Sequence, residues 1–197
     1  MSSTIISILP FIPKFVLLVS MIAATAVQPD NLFLYTQCEL DHFTIEESVE
    51  RDRPFVRSVE TSAGERQIKV AHGFSLHIAY QQTPFVNFKA ERLQDYATGK
   101  QALIGNLKYM TAGPDMESSE PSHLSINGLE VYGINHKQLA GGVLSIYLLF
   151  HDADQTVVTL YLLNTPPEMP KFHTIEEYRS LRDQFLKGYT SCAGASK

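Results

Sequence analysis

Hydrophobic positions change period several times along this chain, and each change marks an element. From Ser75 to Tyr80 apolar and polar residues alternate, which puts Leu76, Ile78 and Tyr80 on one face of a strand. Alternation returns from Pro84 to Ala90, with Val86, Phe88 and Ala90 on the buried side. Pro84 opens that strand, where a ladder tolerates proline. The period then lengthens. Leu103, Leu107 and Met110 recur at helical spacing, with Tyr96 two turns earlier. Asp95 is placed to cap this helix and Gly113-Pro114 to end it, while Gly99 and Gly105 weaken it. Met116 to Ser122 is polar and predicts a mobile loop. His123 to Ile134 predicts strand, turn and strand, or one bent strand, with Asn127-Gly128 as the turn signal. Leu129 and Val131 then face one way, and Glu130, Tyr132 and Ile134 the other.

The most informative stretch follows Gly142. Val143 to Phe150 is almost wholly apolar, and so is Val157 to Leu163. The polar run from His151 to Thr156 lies between them. Two such segments around a short polar turn predict a hairpin, and continuous apolarity puts it at the centre of a sheet, covered on both faces. After Pro166, Pro167 and Pro170, Thr174-Ile175-Glu176-Glu177 forms a capping box. The helix it starts carries Ile175, Tyr178, Leu181, Phe185 and Tyr189 as its apolar stripe, and Gly188 is the expected stop after Lys187. Near the N-terminus, residues 31–37 and 55–60 read as short strands. The charged run Glu46 to Arg53 between them reads as a solvated turn or short helix. The fold class expected is α+β: a central antiparallel sheet flanked by helices, occupying residues 27–197 as one domain.

Residues 1–26 read as an address. Lys14 precedes the apolar run Phe15 to Ala24, and Ala24-Thr25-Ala26 suits signal-peptidase cleavage after Ala26. An uncleaved anchor over Ile5 to Val27 is the alternative, although Pro10 and Pro13 interrupt it. Cys38 stands too far from the apolar run for a lipoprotein site. The expectation is a secreted or periplasmic protein.

Composition narrows the function. The 197 residues are 44% hydrophobic and 19% charged, as in ordinary globular domains. Sixteen basic against 21 acidic residues give a net charge of −5. With no basic run, phosphate backbones and anionic membrane surfaces are poor partners. The two cysteines, Cys38 and Cys192, are expected to pair in an oxidising compartment. Such a bridge closes a loop of roughly 155 residues.

Candidate chemistry is sparse. His42, His72, His77, His123, His136, His151 and His173 show no metal-ligand spacing, and His72 and His77 point to opposite faces of a strand. His151, Asp152 and Asp154 share one turn, where solvated backbone bonding explains the acids better than a cation does. No G-x-S-x-G elbow occurs. Gly141-Gly142 suits a turn and not a phosphate loop, and Glu176-Glu177 belongs to the helix start. No catalytic residue, metal or cofactor is therefore expected. Tyr80, Tyr132, Tyr147 and Tyr161 all fall on expected strands. Tyr80, Tyr132 and His136 are the candidate binding surface.

The order of elements, from His72-Gly73-Phe74 through Ile126-Asn127-Gly128-Leu129-Glu130-Val131-Tyr132 and the apolar hairpin to Tyr189, resembles the PsbP-like α/β/α sandwich. That family includes photosystem-associated, nuclear-transport and bacterial lipoprotein domains. The resemblance implies an antiparallel sheet between helices and a protein that acts by binding, but names no functional residue. The function expected is a non-catalytic binding protein of the cell envelope, taking a protein partner or small ligand through one sheet face or the mobile 111–125 loop. The alternatives are an immunity or inhibitor protein against a secreted enzyme, and a hydrolase with a scattered site such as His136 with Asp152.

Overall fold

The computed structural model describes Cys38, residues 40–164 and residues 172–195. Eight antiparallel strands and two helices follow in the order β1 (Phe43–Arg51), β2 (Phe55–Thr61), β3 (Gly64–Tyr80), β4 (Thr83–Leu93), α1 (Tyr96–Met110), β5 (Ser122–Ile126), β6 (Leu129–Asn135), β7 (Gly142–His151), β8 (Thr156–Asn164) and α2 (Ile175–Ala195). The sheet order is β1-β3-β4-β8-β7-β6-β5, with β2 also paired to β3. The fold is thus α+β, as expected. The expected strand at 31–37 and the leader lie outside the described residues.

β7 and β8 are the interior pair, joined by one 3-10 turn (Asp152–Asp154). Their side chains divide between two cores. Leu144, Tyr147, Leu149, Val158, Leu160 and Leu162 join Tyr178, Leu181, Phe185 and Tyr189 of α2. Ile146, Leu148, Phe150 and Val157 join Ala102, Leu103 and Leu107 of α1. Each helix therefore covers one face, which is what a doubly apolar hairpin requires. On the α2 side the core is aromatic: Phe85 packs edge-on against Phe172, Tyr178 and Phe185.

The N-terminal charged run departs from expectation. Glu46–Arg51 is strand and not turn or helix, because β1 pairs with the C-terminal half of β3 (Phe43 with Tyr80 through Arg51 with Gly73). β2 pairs with the other half, from Phe55 with Val70 to Thr61 with Gly64. Around Pro54 the two strands form one interrupted strand beside the 17-residue β3. An edge strand open on both faces has no reason to alternate, so its sequence reads as a solvated segment.

α2 also runs past its expected stop. Gly188 lies within the helix, where an added Cβ would meet Leu40 Cδ2 at 3.0 Å. This glycine serves close approach, not termination. The extra turns carry Cys192 to Cys38, and the two are disulfide-bonded with Cα atoms 5.8 Å apart. The capping box forms as expected: Glu177 N–H donates to Thr174 Oγ1 (3.2 Å) and Glu177 Oε2 accepts from Thr174 N–H (3.4 Å). Asp95 likewise caps α1, accepting from Thr98 N–H at 3.2 Å. Asn127 and Gly128 take positive φ (50° and 78°), the turn expected between β5 and β6.

Gly133 on β6 is enforced by space. A Cβ there would stand 2.3 Å from the Tyr147 ring on the neighbouring strand. Gly133→Val is expected to destabilise the fold by about 1–3 kcal/mol, measured as a lowered urea midpoint with unchanged slope. Reducing the Cys38–Cys192 bridge, which spans 154 positions, is expected to cost about 3–5 kcal/mol in the same measurement.

Candidate functional site

Helix α1 packs chiefly on β2 and β3 and reaches across to β4 and β6, and its two ends meet different chemistry. At its N-terminal end Lys100 reaches back to two acids. Its ammonium pairs with Glu130 Oε2 and, at 2.9 Å, with Asp152 Oδ1. Tyr96 O–H donates to the same Asp152 oxygen at 2.6 Å, and Tyr132 O–H donates to Glu130 Oε1 at 2.7 Å. His123 Nε2 stands 3.1 Å from Glu130 Oε1, its ring stacked on Tyr132 at 4.3 Å. The Lys100 ammonium also lies over the Phe150 ring, 5.0 Å from its centroid.

These contacts fix the charge states. The bond to Lys100 holds the Glu130 carboxyl below its ordinary range, against partial burial. The bonds from Tyr96 and Lys100 lower that of Asp152. For Lys100 burial opposes the charge, but the two carboxylates win and raise it. Tyr132 is raised by burial and by its bond to Glu130. A lysine held protonated is no nucleophile or general base, and carboxylates held ionised are no general acids. The network is a clamp that docks α1 on the sheet. Asp152 is the exposed turn acid expected of it and also an anchor for the helix.

A second ion pair, Arg57 Nη2 to Glu91 Oε2 at 2.7 Å, ties β2 to β4, with the Glu91 side chain only 6% exposed. Beside it Lys89 lies over the Tyr161 ring. On β3, His72 and His77 pair with Glu50 and Glu47 of β1 at 3.0 and 3.3 Å. Among the described residues no three His, Cys, Asp or Glu side chains gather as a metal site would require.

The C-terminal end of α1 is different. Met110, Gly113, Asp115 and Met116 face Ile134, His136, Val143, Leu144, Ser145 and Ile146 across a cleft of about 310 Å³. That volume sits at the lower end of the roughly 300–1,000 Å³ range of small-molecule sites. Its walls are mainly apolar, and two methionines give them adaptable shape.

The loop that closes the cleft is tied down rather than mobile. Met116 bridges to His136, Glu117 N–H donates to Asn135 O (2.8 Å), and Lys137 N–H donates to Asp115 O (2.9 Å). Thr111 Oγ1 donates to Ser119 O at 2.8 Å, and Arg179 of α2 reaches Glu117 at 2.5 Å. Polar composition suggested motion. These partners come from β6 and α2 and were invisible along the chain.

The three residues expected to form one binding surface are dispersed. Tyr132 belongs to the clamp and His136 to the cleft. Tyr80 lies on the opposite face, against Phe43, beside a separate depression formed with Phe172, His173 and Leu181. Nor do His136 and Asp152 meet. His136 N–H bonds Leu144 O near the start of β7, whereas Asp152 follows its last residue, so about 20 Å of strand separates them. The sequence reading missed Lys100, Met110 and Ile146 as site residues, while Asp115 falls in the 111–125 loop it offered as a binding segment; only the tertiary fold assembles them.

The fold and these sites define a disulfide-closed α+β protein with a charge clamp at one end of α1 and an apolar cleft at the other. Compared with protein-family models, curated proteins and solved structures, the chain matches none. Among the described residues no helix is long and apolar enough to cross a membrane.

Lys100→Met is expected to cost about 1–2 kcal/mol at neutral pH, because Glu130 and Asp152 lose their shared cation. The sign with pH follows. The lowered carboxylates contribute stability in full above the ordinary carboxylate range, and it is gone once pH has dropped through their lowered values. The raised lysine contributes fully below its ordinary value and loses that only as pH rises through the raised one. The difference between wild type and Lys100→Met in urea titrations should thus be flat from about pH 5 to 9 and shrink below about pH 4.

Proposed function

We propose that the protein is an exported, non-catalytic binding protein of the cell envelope, and that the cleft between Met110, Met116, Ile134 and Ile146 holds its ligand. The observation that carries the reading is that cleft: preformed, mainly apolar and of small-molecule volume. Two further facts support it. The shifted groups around α1 are engaged with one another in a clamp that holds Lys100 protonated and Glu130 and Asp152 ionised. The disulfide suits an oxidising compartment, where such bridges persist. The arrangement of one helix on each face is compatible with the PsbP-like sandwich, whose members act largely by binding.

Physically, the site works by desolvation. An eight-carbon chain burying its methylenes at about 0.8 kcal/mol each gains roughly 6 kcal/mol before the entropy of association is subtracted, so simple ligands bind weakly, on the order of millimolar. The test uses the purified, oxidised protein labelled with 13C at its methionine methyls and titrated with 1-octanol. Saturable shifts confined to Met110 and Met116 are expected. Met110→Gln, a change at a residue 40% exposed at the end of α1, should weaken binding about threefold as read at Met116, with the fold intact. Shifts that rise linearly without saturation, or that spread over the whole surface, sink the reading.

A further inference from the structure

The cleft has a polar rim, and the charges around it indicate what it selects. Most other acids near the sheet are spent within the protein. Glu130 and Asp152 hold Lys100, Glu91 holds Arg57, Glu117 holds Arg179, and Glu47 and Glu50 hold His77 and His72. Asp115 contrasts with them. It lines the cleft, and among the described residues its carboxylate meets no ion-pair partner. Only its backbone carbonyl is used, by Lys137 N–H. The Lys137 ammonium lies next in space but is turned to the Pro114 carbonyl and does not line the cleft. His136 is the other titratable group on the wall. Its backbone N–H bonds Leu144 O, and its ring is free to accept or donate.

The remaining lining is aliphatic or methionine, apart from Gly113 and Ser145. The Ser145 hydroxyl is occupied on the other face, accepting from Tyr178 O–H at 2.9 Å. A ligand that enters this cleft therefore puts its apolar body against Met110, Met116, Ile134 and Ile146 and meets one carboxylate, that of Asp115, at the rim. An isolated bridge between Met116 and His136 joins the two walls at the residues that line the cleft. The cleft volume equals about ten waters, enough for a tail of eight to ten non-hydrogen atoms.

We propose that the cleft selects small amphipathic amines: a compact aliphatic or aromatic body ending in a protonated nitrogen that pairs with the Asp115 carboxylate. This rests on the cleft being the ligand site, and it adds the chemical class of the ligand. Because Asp115 is exposed, its contribution is modest. The pair is worth roughly a two- to fivefold preference over a neutral head of the same tail, and it fades with added salt.

The experiment titrates 1-octylamine, 1-octanol and octanoate separately into the oxidised, methionine-labelled protein, and then into Asp115→Asn. The order expected for the unaltered protein is amine tightest, alcohol next, octanoate weakest, with saturable shifts at Met110 and Met116 in each case. Asp115→Asn should bring the amine level with the alcohol and leave the alcohol unchanged. Equal binding of all three heads, or an amine preference that survives Asp115→Asn, overturns the amine inference while the cleft stands as a site. Absence of saturable shifts with every head overturns both. Since Asp115 is exposed and bonds the protein only through its backbone, the substitution does not endanger folding.

Discussion

The structure depends on one constraint: the β7–β8 hairpin is apolar on both faces, so both faces must be kept from water. Leu144, Leu149, Leu160 and Leu162 require α2, and Leu148, Phe150 and Val157 require α1. A hairpin of this kind cannot sit at an edge, because an edge would expose one of its faces and its backbone. Its interior position in turn places β4 beside β8 and β6 beside β7. The helices are consequences of this demand more than independent units. α1 contains two glycines and has little intrinsic stability, and both glycines lie where it approaches neighbours, Gly99 against Leu93 and Gly105 against Thr61.

Burial alone does not set where along the sheet α1 lies. The Lys100 clamp fixes one end, since its acids come from β6 and from the turn after β7. With that end fixed, the helix reaches Met110 just above the start of β7. There the strand pair has a register shift between Val143 and Ser145 and the last helical turn no longer fills the space. The cleft is therefore a by-product of a docked helix shorter than the strands beneath it. The ties from Asn135, Lys137 and Arg179 then hold the following loop over it, so that the cleft is preformed. A preformed site spares a ligand the entropy of ordering a loop.

Much of this was legible along the chain. The central hairpin, the two caps, the Asn127-Gly128 turn and the split of β6 into Leu129 and Val131 on one side and Tyr132 and Ile134 on the other all follow from periodicity and turn chemistry. The cysteine pair followed from the expectation of an oxidising compartment. Three readings failed for one shared reason. β1 looked like a solvated segment because, among the described residues, it pairs with β3 alone. Gly188 looked like a stop because its close neighbour, Leu40, is far away in sequence. The loop after α1 looked mobile because its ties to Asn135, Lys137 and Arg179 are long-range. The grouping of Tyr80 with Tyr132 and His136 failed similarly: all were judged by residue type, while Tyr80 sits on the other face of the sheet.

By itself the sequence determined what must be buried. Hydrophobic period and capping chemistry are local properties, and they were enough to specify a helix-covered antiparallel sheet with an apolar pair at its centre. Only the tertiary structure decided which polar groups meet. The ion pairs of the clamp join residues 30 and 52 positions apart, through side chains whose partners carry no spacing signal. Lys100 was therefore consumed by Glu130 and Asp152, while Asp115 was left facing an apolar cleft.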